Sequence, residues 1–240
     1  MENIERDWSN RRYKKYIAIS IIILGIFIFY LCSAGFISEI TSGYQSILYE
    51  TLGKTNNWSN SFGPGILVDN MRELTVLADD IFILIFTIVF GGYLIVRKKY
   101  RTLYTYIFVV IGAGIFHIFL KNYFGGESWY KWFNPVSIVG KTFPSGHALM
   151  TVVFYFTMAR LLYRANPSRA LNKYLTTIAF LFSILIGICL LITGMHSPNE
   201  IIAGWAMGFA WISAAWLVDH YIRKKNYYRH QAKEAELNKT

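Results

Sequence analysis

Six stretches of this chain are apolar over about the ~20 residues a helix needs to cross a bilayer, more than one water-soluble core can absorb. A window of about 19 residues places them at 16–36, 76–96, 102–120, 144–163, 174–193 and 201–222. A bilayer admits only helices or closed barrels, and these runs lack the period-2 alternation of barrel strands. The expected fold is therefore all-α, an integral membrane bundle of six transmembrane helices over residues 16–222. A basic N-terminal segment, 1–15, precedes it and a tail, 223–240, follows. Composition agrees: 54% of residues are hydrophobic and 16% charged, against about 25% charged in soluble domains. The first run follows a charged segment and has no convincing small-residue cleavage site, so it reads as a retained helix. Cys32 and Cys189 lie inside apolar runs, which points to buried thiols rather than a disulfide framework or a zinc site.

The charge balance needs its own account, because 24 Lys and Arg against 14 Asp and Glu leave a net +10. Nineteen of the 24 basic residues fall before the first run, at 97–101, at 160–173 and after the last run. Only Lys54, Arg72, Lys121, Lys131 and Lys141 fall on the alternate segments. With the acidic residues included, the two sides carry +13 and −3. The positive-inside rule then puts both termini of a multi-pass membrane protein in the cytoplasm. Nucleic acid is excluded as a partner, because no soluble module presents a basic face. The tail mixes both signs and reads as a hydrated end, with anionic-lipid contact as the alternative.

Three outer segments follow from this topology. Residues 37–75 are long and broken at Gly63-Pro64-Gly65, which suggests a short surface helix or a lid. Residues 121–143 hold Tyr123, Phe124, Trp129, Tyr130, Trp132 and Phe133, a composition that suits an interfacial belt or a lipid entrance. Residues 194–200 are short and unusually polar for a bilayer boundary.

Polar chemistry converges on that outer side. Pro144-Ser145-Gly146-His147 opens the fourth run, where Pro is compatible with a first helical turn. Ser145 and Gly146 place a hydroxyl and unpaired N–H groups at a helix N-terminus, an anion site in principle. His196 and Glu200 open the sixth run at i and i+4, so the carboxylate can orient the imidazole. Lys121 closes the third run on the same side. A lone boundary histidine is usually hydrated or bonded to a carbonyl, and lone Lys or Glu residues at helix ends usually anchor headgroups. His117, one turn before Lys121, reads as such a packing histidine. Together, however, costly ionisable groups from three crossings suggest phosphoryl transfer. In that reading His196 attacks phosphorus, His147 protonates the leaving oxygen, and Lys121, Ser145 and Gly146 stabilise the equatorial oxygens. Such a set needs no metal and no cofactor.

Lys121, Phe143-Pro144-Ser145-Gly146-His147-Ala148 and His196-x3-Glu200, on six runs, resemble the type 2 phosphatidic acid phosphatase superfamily of membrane lipid phosphatases. The resemblance is strongest over 79–222. It implies a phosphohistidine intermediate at His196 and a phosphorylated membrane lipid as substrate, such as undecaprenyl diphosphate, phosphatidate or phosphatidylglycerol phosphate. The site would face outside the cell, in a bacterial-type plasma membrane. Two departures bear on the chemistry. The family's Lys-x6-Arg-Pro places Ser128 and Trp129 at its Arg and Pro positions, and its Ser-Arg-x5-His-x3-Asp places Cys189, Leu190 and Glu200 at its Ser, Arg and Asp positions. Both phosphate-gripping arginines are thus replaced, and one lost preorganised donor typically costs about 10²–10³ in rate. Lys131 or Lys141 could supply compensating charge, without the arginine fork. The alternatives to hydrolysis are a catalytically weakened member that binds or moves a phosphorylated lipid, and a lipid phosphotransferase using the same site.

Overall fold

The structure is a computed structural model that describes residues 2–41, 43–53, 61–124, 143–165 and 168–237. Its elements are α1 (Glu2–Ser33), α2 (Phe36–Ile40), α3 (Tyr44–Leu52), α4 (Gly65–Thr75), a 3₁₀ turn (Val76–Ala78), α5 (Asp80–Val96), α6 (Tyr100–Phe124), α7 (Gly146–Ala165), α8 (Arg169–Ile192) and α9 (Pro198–Leu237). Most of the described residues are helical, and the fold they make is all-α. Four stretches are each long and apolar enough to cross a membrane: Tyr13–Ser33, Tyr100–Phe124, Arg169–Ile192 and Pro198–Arg229. A fifth candidate is the pair Gly65–Ala78 and Asp80–Val96, bent by 41°.

This differs from six even crossings in two places. The run expected at 76–96 is broken near its start, because Asp79 leaves helical geometry to cap α5, its carboxylate accepting from the Ile81 N–H at 2.8 Å. The break frees a carbonyl at Leu77, which accepts a hydrogen bond from the Tyr155 hydroxyl of α7 at 3.0 Å. Irregular backbone near a membrane needs such a partner, since lipid supplies none. The run expected at 144–163 forms α7, which is less apolar than the four candidate stretches. Its position explains that: α7 packs against α6, α8 and α9. Ala148, Leu149, Thr151, Val152 and Val153 are fully buried, so protein rather than lipid surrounds most of it.

The perimeter shows the opposite pattern. Ile23, Ile26 and Phe27 of α1, Ile88 and Val89 of α5, and Ile115 and Phe119 of α6 are all exposed. A water-soluble monomer rarely presents contiguous apolar surface of that kind, whereas a bilayer solvates it. Without hydrophobic exclusion between helices, membrane packing relies on close backbone approach through small residues. Gly204 and Gly208 of α9 provide this approach: a Cβ on Gly204 would lie 2.5 Å from the Ser145 carbonyl oxygen, and one on Gly208 would lie 3.0 Å from that of Leu149. On the adjacent face of α9, α1 packs through Gly25, whose added Cβ would lie 2.7 Å from the Ala206 carbonyl oxygen.

The segment between the first two apolar runs contains three short helices, α2, α3 and α4. The Phe62 N–H donates to the Ile192 carbonyl at 2.9 Å, fastening this segment to the end of α8. The last apolar run and the segment after it form one helix, α9, which continues to Leu237. Lys131, Lys141, Ser128 and the ring cluster Trp129, Tyr130, Trp132 and Phe133 lie outside the described residues.

Candidate active site

His196 is held in a tight connection between two helices, and both of its ends follow from local sequence. Gly194 adopts φ 67° just after α8, a left-handed conformation that favours glycine. The Gly194 N–H donates to Leu191 and the Met195 N–H to Leu190, both at 3.1 Å, which is the Schellman closure of a helix end. The next helix starts at once. Ser197 accepts from the Glu200 N–H at 3.4 Å, and Glu200 accepts from the Ser197 N–H at 3.1 Å. This reciprocal pair is a capping box, with Pro198 in the first helical position. The imidazole is therefore carried on backbone with little freedom.

Glu200 has a second task. Its Oε2 lies 2.9 Å from His196 Nδ1, and the two side chains are 9% and 17% exposed. With Nδ1–H donating to the carboxylate, the tautomer assigned by this bond leaves the Nε2 lone pair open. Sequence spacing suggested the i, i+4 contact. The Ser-Pro-Asn-Glu order also carries the capping box that binds the same carboxylate to the helix start.

His147 approaches from the first turn of α7, with its ring centroid 6.1 Å from that of His196 at an interplanar angle of 57°. Two main-chain contacts set this spacing. The Ser145 N–H donates to the Glu200 carbonyl at 3.1 Å, and the Ser145 carbonyl rests against Gly204. Ser145 is fully buried and its hydroxyl oxygen accepts from the Ala148 N–H at 3.3 Å, capping α7. Gly146 follows as the first residue of the helix.

Lys121 lies in the last turn of α6, partly buried. Its charge acts on both His117 and His147. His117 itself belongs to this neighbourhood. A ring nitrogen lies 3.4 Å from the Pro144 carbonyl oxygen, and a Cβ on Gly146 would lie 2.5 Å from His117 Cε1. It is thus packed on the Pro-Ser-Gly-His segment, a contact that its place within an apolar run did not reveal. Asp79 and Asp80, from the break before α5, also act electrostatically on His147. The sequence signal for them was two adjacent carboxylates at the edge of a membrane run.

The positions where the family resemblance calls for Ser and Arg are apolar in their surroundings. Leu190 is fully buried with Ala148, Ile186 and Ile201, and its carbonyl receives the Met195 and His196 N–H groups. Cys189 is fully buried, and its Sγ lies 3.3 Å from Met71 Sδ of α4. Nothing cationic comes from this turn of α8.

Fold and site together define a helical membrane protein with two histidines and an orienting carboxylate gathered at one end of the bundle. A family model described as the PAP2 superfamily matches residues 102–224, more than half of the 240 residues; the chain belongs to this superfamily. Among solved structures it is similar to the "first transmembrane PAP2 type phosphatidylglycerolphosphate phosphatase from Bacillus subtilis". The TM-score is 0.66 at 18% identity, covering 86% of this chain and 98% of that one. A likeness at that identity is one of fold. Comparison with curated protein sequences gives no match.

Proposed function

We propose that this protein is a lipid phosphate or lipid diphosphate phosphatase working through a phosphohistidine on His196. The observation that carries the reading is the His147–His196 pair, 6.1 Å between centroids, with Glu200 on the remote nitrogen of one ring. One phosphoryl group between the rings can contact both. His196 Nε2 attacks phosphorus and forms the N–P bond while the P–O bond to the leaving group breaks, an ester bond in a lipid monophosphate and the anhydride bond in a lipid diphosphate. His147 gives its proton to the departing lipid oxygen. Glu200 holds Nδ1–H throughout and balances the positive charge that develops on the attacking ring. Water, deprotonated by His147, then displaces the phosphate and restores His196. Lys121, the Ser145 hydroxyl and the N–H groups of Gly146 and His147 stabilise the equatorial oxygens. Lys131 and Lys141 would add charge from the segment between α6 and α7. The site lies at the bundle end remote from the strongly basic flanks, which supports an extracytoplasmic face, with α7 as the sixth crossing.

The test is phosphate release by purified protein in detergent from phosphatidate, phosphatidylglycerol phosphate and undecaprenyl diphosphate, with a chelator present. Wild type is expected to exceed His196→Ala and His147→Ala by more than about 10²-fold. Equal rates for all three proteins would overturn the proposal.

Buried Leu190 favours a second reading, a binder of phosphorylated lipid with little turnover, because no guanidinium from α8 grips the transition state. Saturable binding of a lipid phosphate without phosphohistidine formation would select it.

A further inference from the structure

A second polar cluster lies at the other end of the bundle. Arg160 is thirteen residues along α7 from His147, about 20 Å at the 1.5 Å rise of a helix. It lines a cavity of about 380 Å³ enclosed by α1, α6, α7, α8 and α9. The volume falls within the roughly 300–1,000 Å³ of small-molecule sites. Its charged lining residues are Lys14, Arg160, Arg164 and Asp219, leaving a net charge of +2. Asp219 is already saturated by arginine. Arg164 Nη2 reaches its Oδ2 at 2.7 Å, and Arg223 Nε lies 3.0 Å from the same carboxylate.

Arg160 is different. Its guanidinium lies 5.8 Å from the Tyr163 ring centroid, and it forms no ion pair with any described residue. Beside these charges the lining is mostly apolar, with Ile17 and Ile21 of α1, Val109 of α6 and Ile212 of α9, and it includes neutral polar side chains such as Thr105, Thr157 and Ser213. Cationic groups beside apolar walls, between membrane helices, match one chemical class: an amphiphile with an anionic phosphate head and hydrocarbon tails.

We infer that this cavity binds an anionic glycerophospholipid of the leaflet opposite the histidine pair. Its phosphate sits on Arg160 with Lys14 and Arg164 beside it, and an acyl chain lies along Ile17, Ile21 and Ile212. The planar guanidinium supplies a fork for two phosphate oxygens. The Arg164–Asp219–Arg223 chain keeps the neighbouring charges in place. The bound lipid bridges α1 to α7 and α9, filling a gap that side chains leave open. This site is separate from the catalytic end and does not depend on turnover there.

Titration of the detergent-purified full chain with dioleoyl phosphatidylglycerol or dioleoyl phosphatidylcholine, followed by native mass spectrometry, tests the proposal. Wild type is expected to prefer phosphatidylglycerol by about tenfold or more, and Arg160→Gln to lose about fivefold of that preference. Lys14→Gln, an exposed rim position that tolerates change, should lose a smaller part, so a folding defect in the first variant leaves the question answerable. Lys121→Ala, at the catalytic end, should keep the full preference. Excess glycerol 3-phosphate should not displace the lipid. Equal binding of both lipids, an unchanged preference in both rim variants, or loss in Lys121→Ala would overturn the proposal. Full displacement by glycerol 3-phosphate would also overturn it, by assigning the site to a soluble anion.

Discussion

The two ends of α7 solve opposite problems with polar groups. At its start, His147 and His196 are short side chains on backbone pinned by a capping box, a Schellman turn and the Ser145–Glu200 main-chain bond. At its end, Arg160 and Arg164 are long, adaptable side chains around a cavity, with Asp219 taking up part of their charge. Chemistry on a reacting atom demands geometry held within about half an ångström. Holding a lipid headgroup demands charge and room. The contrast predicts that small changes at the histidine end are expensive in rate and that comparable changes at the arginine end are mild.

The sharpest break of that contrast is His196→Ala, expected to lower phosphate release by more than about 10³-fold, with no acid-labile phosphoenzyme in a rapid-quench experiment. Glu200→Gln keeps an oxygen for the cap but removes the negative charge facing His196 Nδ1. A loss of about 10²–10³-fold in kcat with little change in KM is expected from steady-state kinetics; an effect confined to melting temperature would reduce Glu200 to a helix cap. Gly146→Ala drives a methyl into His117, whose Cε1 would lie 2.5 Å away. Activity should fall about 10–100-fold through displacement of His147, and adding His117→Ala should restore part of it by relieving the clash. At the other end, Arg164→Gln should change kcat less than about twofold while lowering stability by about 1 kcal/mol, read as a modest fall in melting temperature. A catalytic loss there equal to that of Glu200→Gln would erase the distinction between the two ends.

Much of the histidine end was legible from residue order, because its determinants are local. A glycine after an apolar run, Ser-Pro at a helix start and a carboxylate four residues beyond His196 each act within one turn. The apolar runs likewise marked the membrane character. Other features were illegible for physical reasons. An averaged hydropathy window cannot see the bend at Asp79, since it smooths Val76, Leu77 and Ala78 into the apolar run that follows the two carboxylates. The central place of α7 depends on which helices enclose it, and its modest hydrophobicity makes sense only once that is known. His117 and the Pro-Ser-Gly-His segment are twenty-seven residues apart, and no periodicity joins them. The arginine cavity is assembled from five helices, so its charges looked only like markers of membrane orientation.

Gly204 was described above as a packing residue, but its effect reaches further. The histidines at the starts of α7 and α9 are coupled through main chain resting on main chain, with no intervening rotamer to flex. Their interval therefore behaves as a fixed gauge; under the proposed function it is set once for a single phosphorus centre and takes no account of the rest of the ligand. Discrimination between one lipid phosphate and another would then arise outside that gauge, where the surrounding segments meet the headgroup and tail.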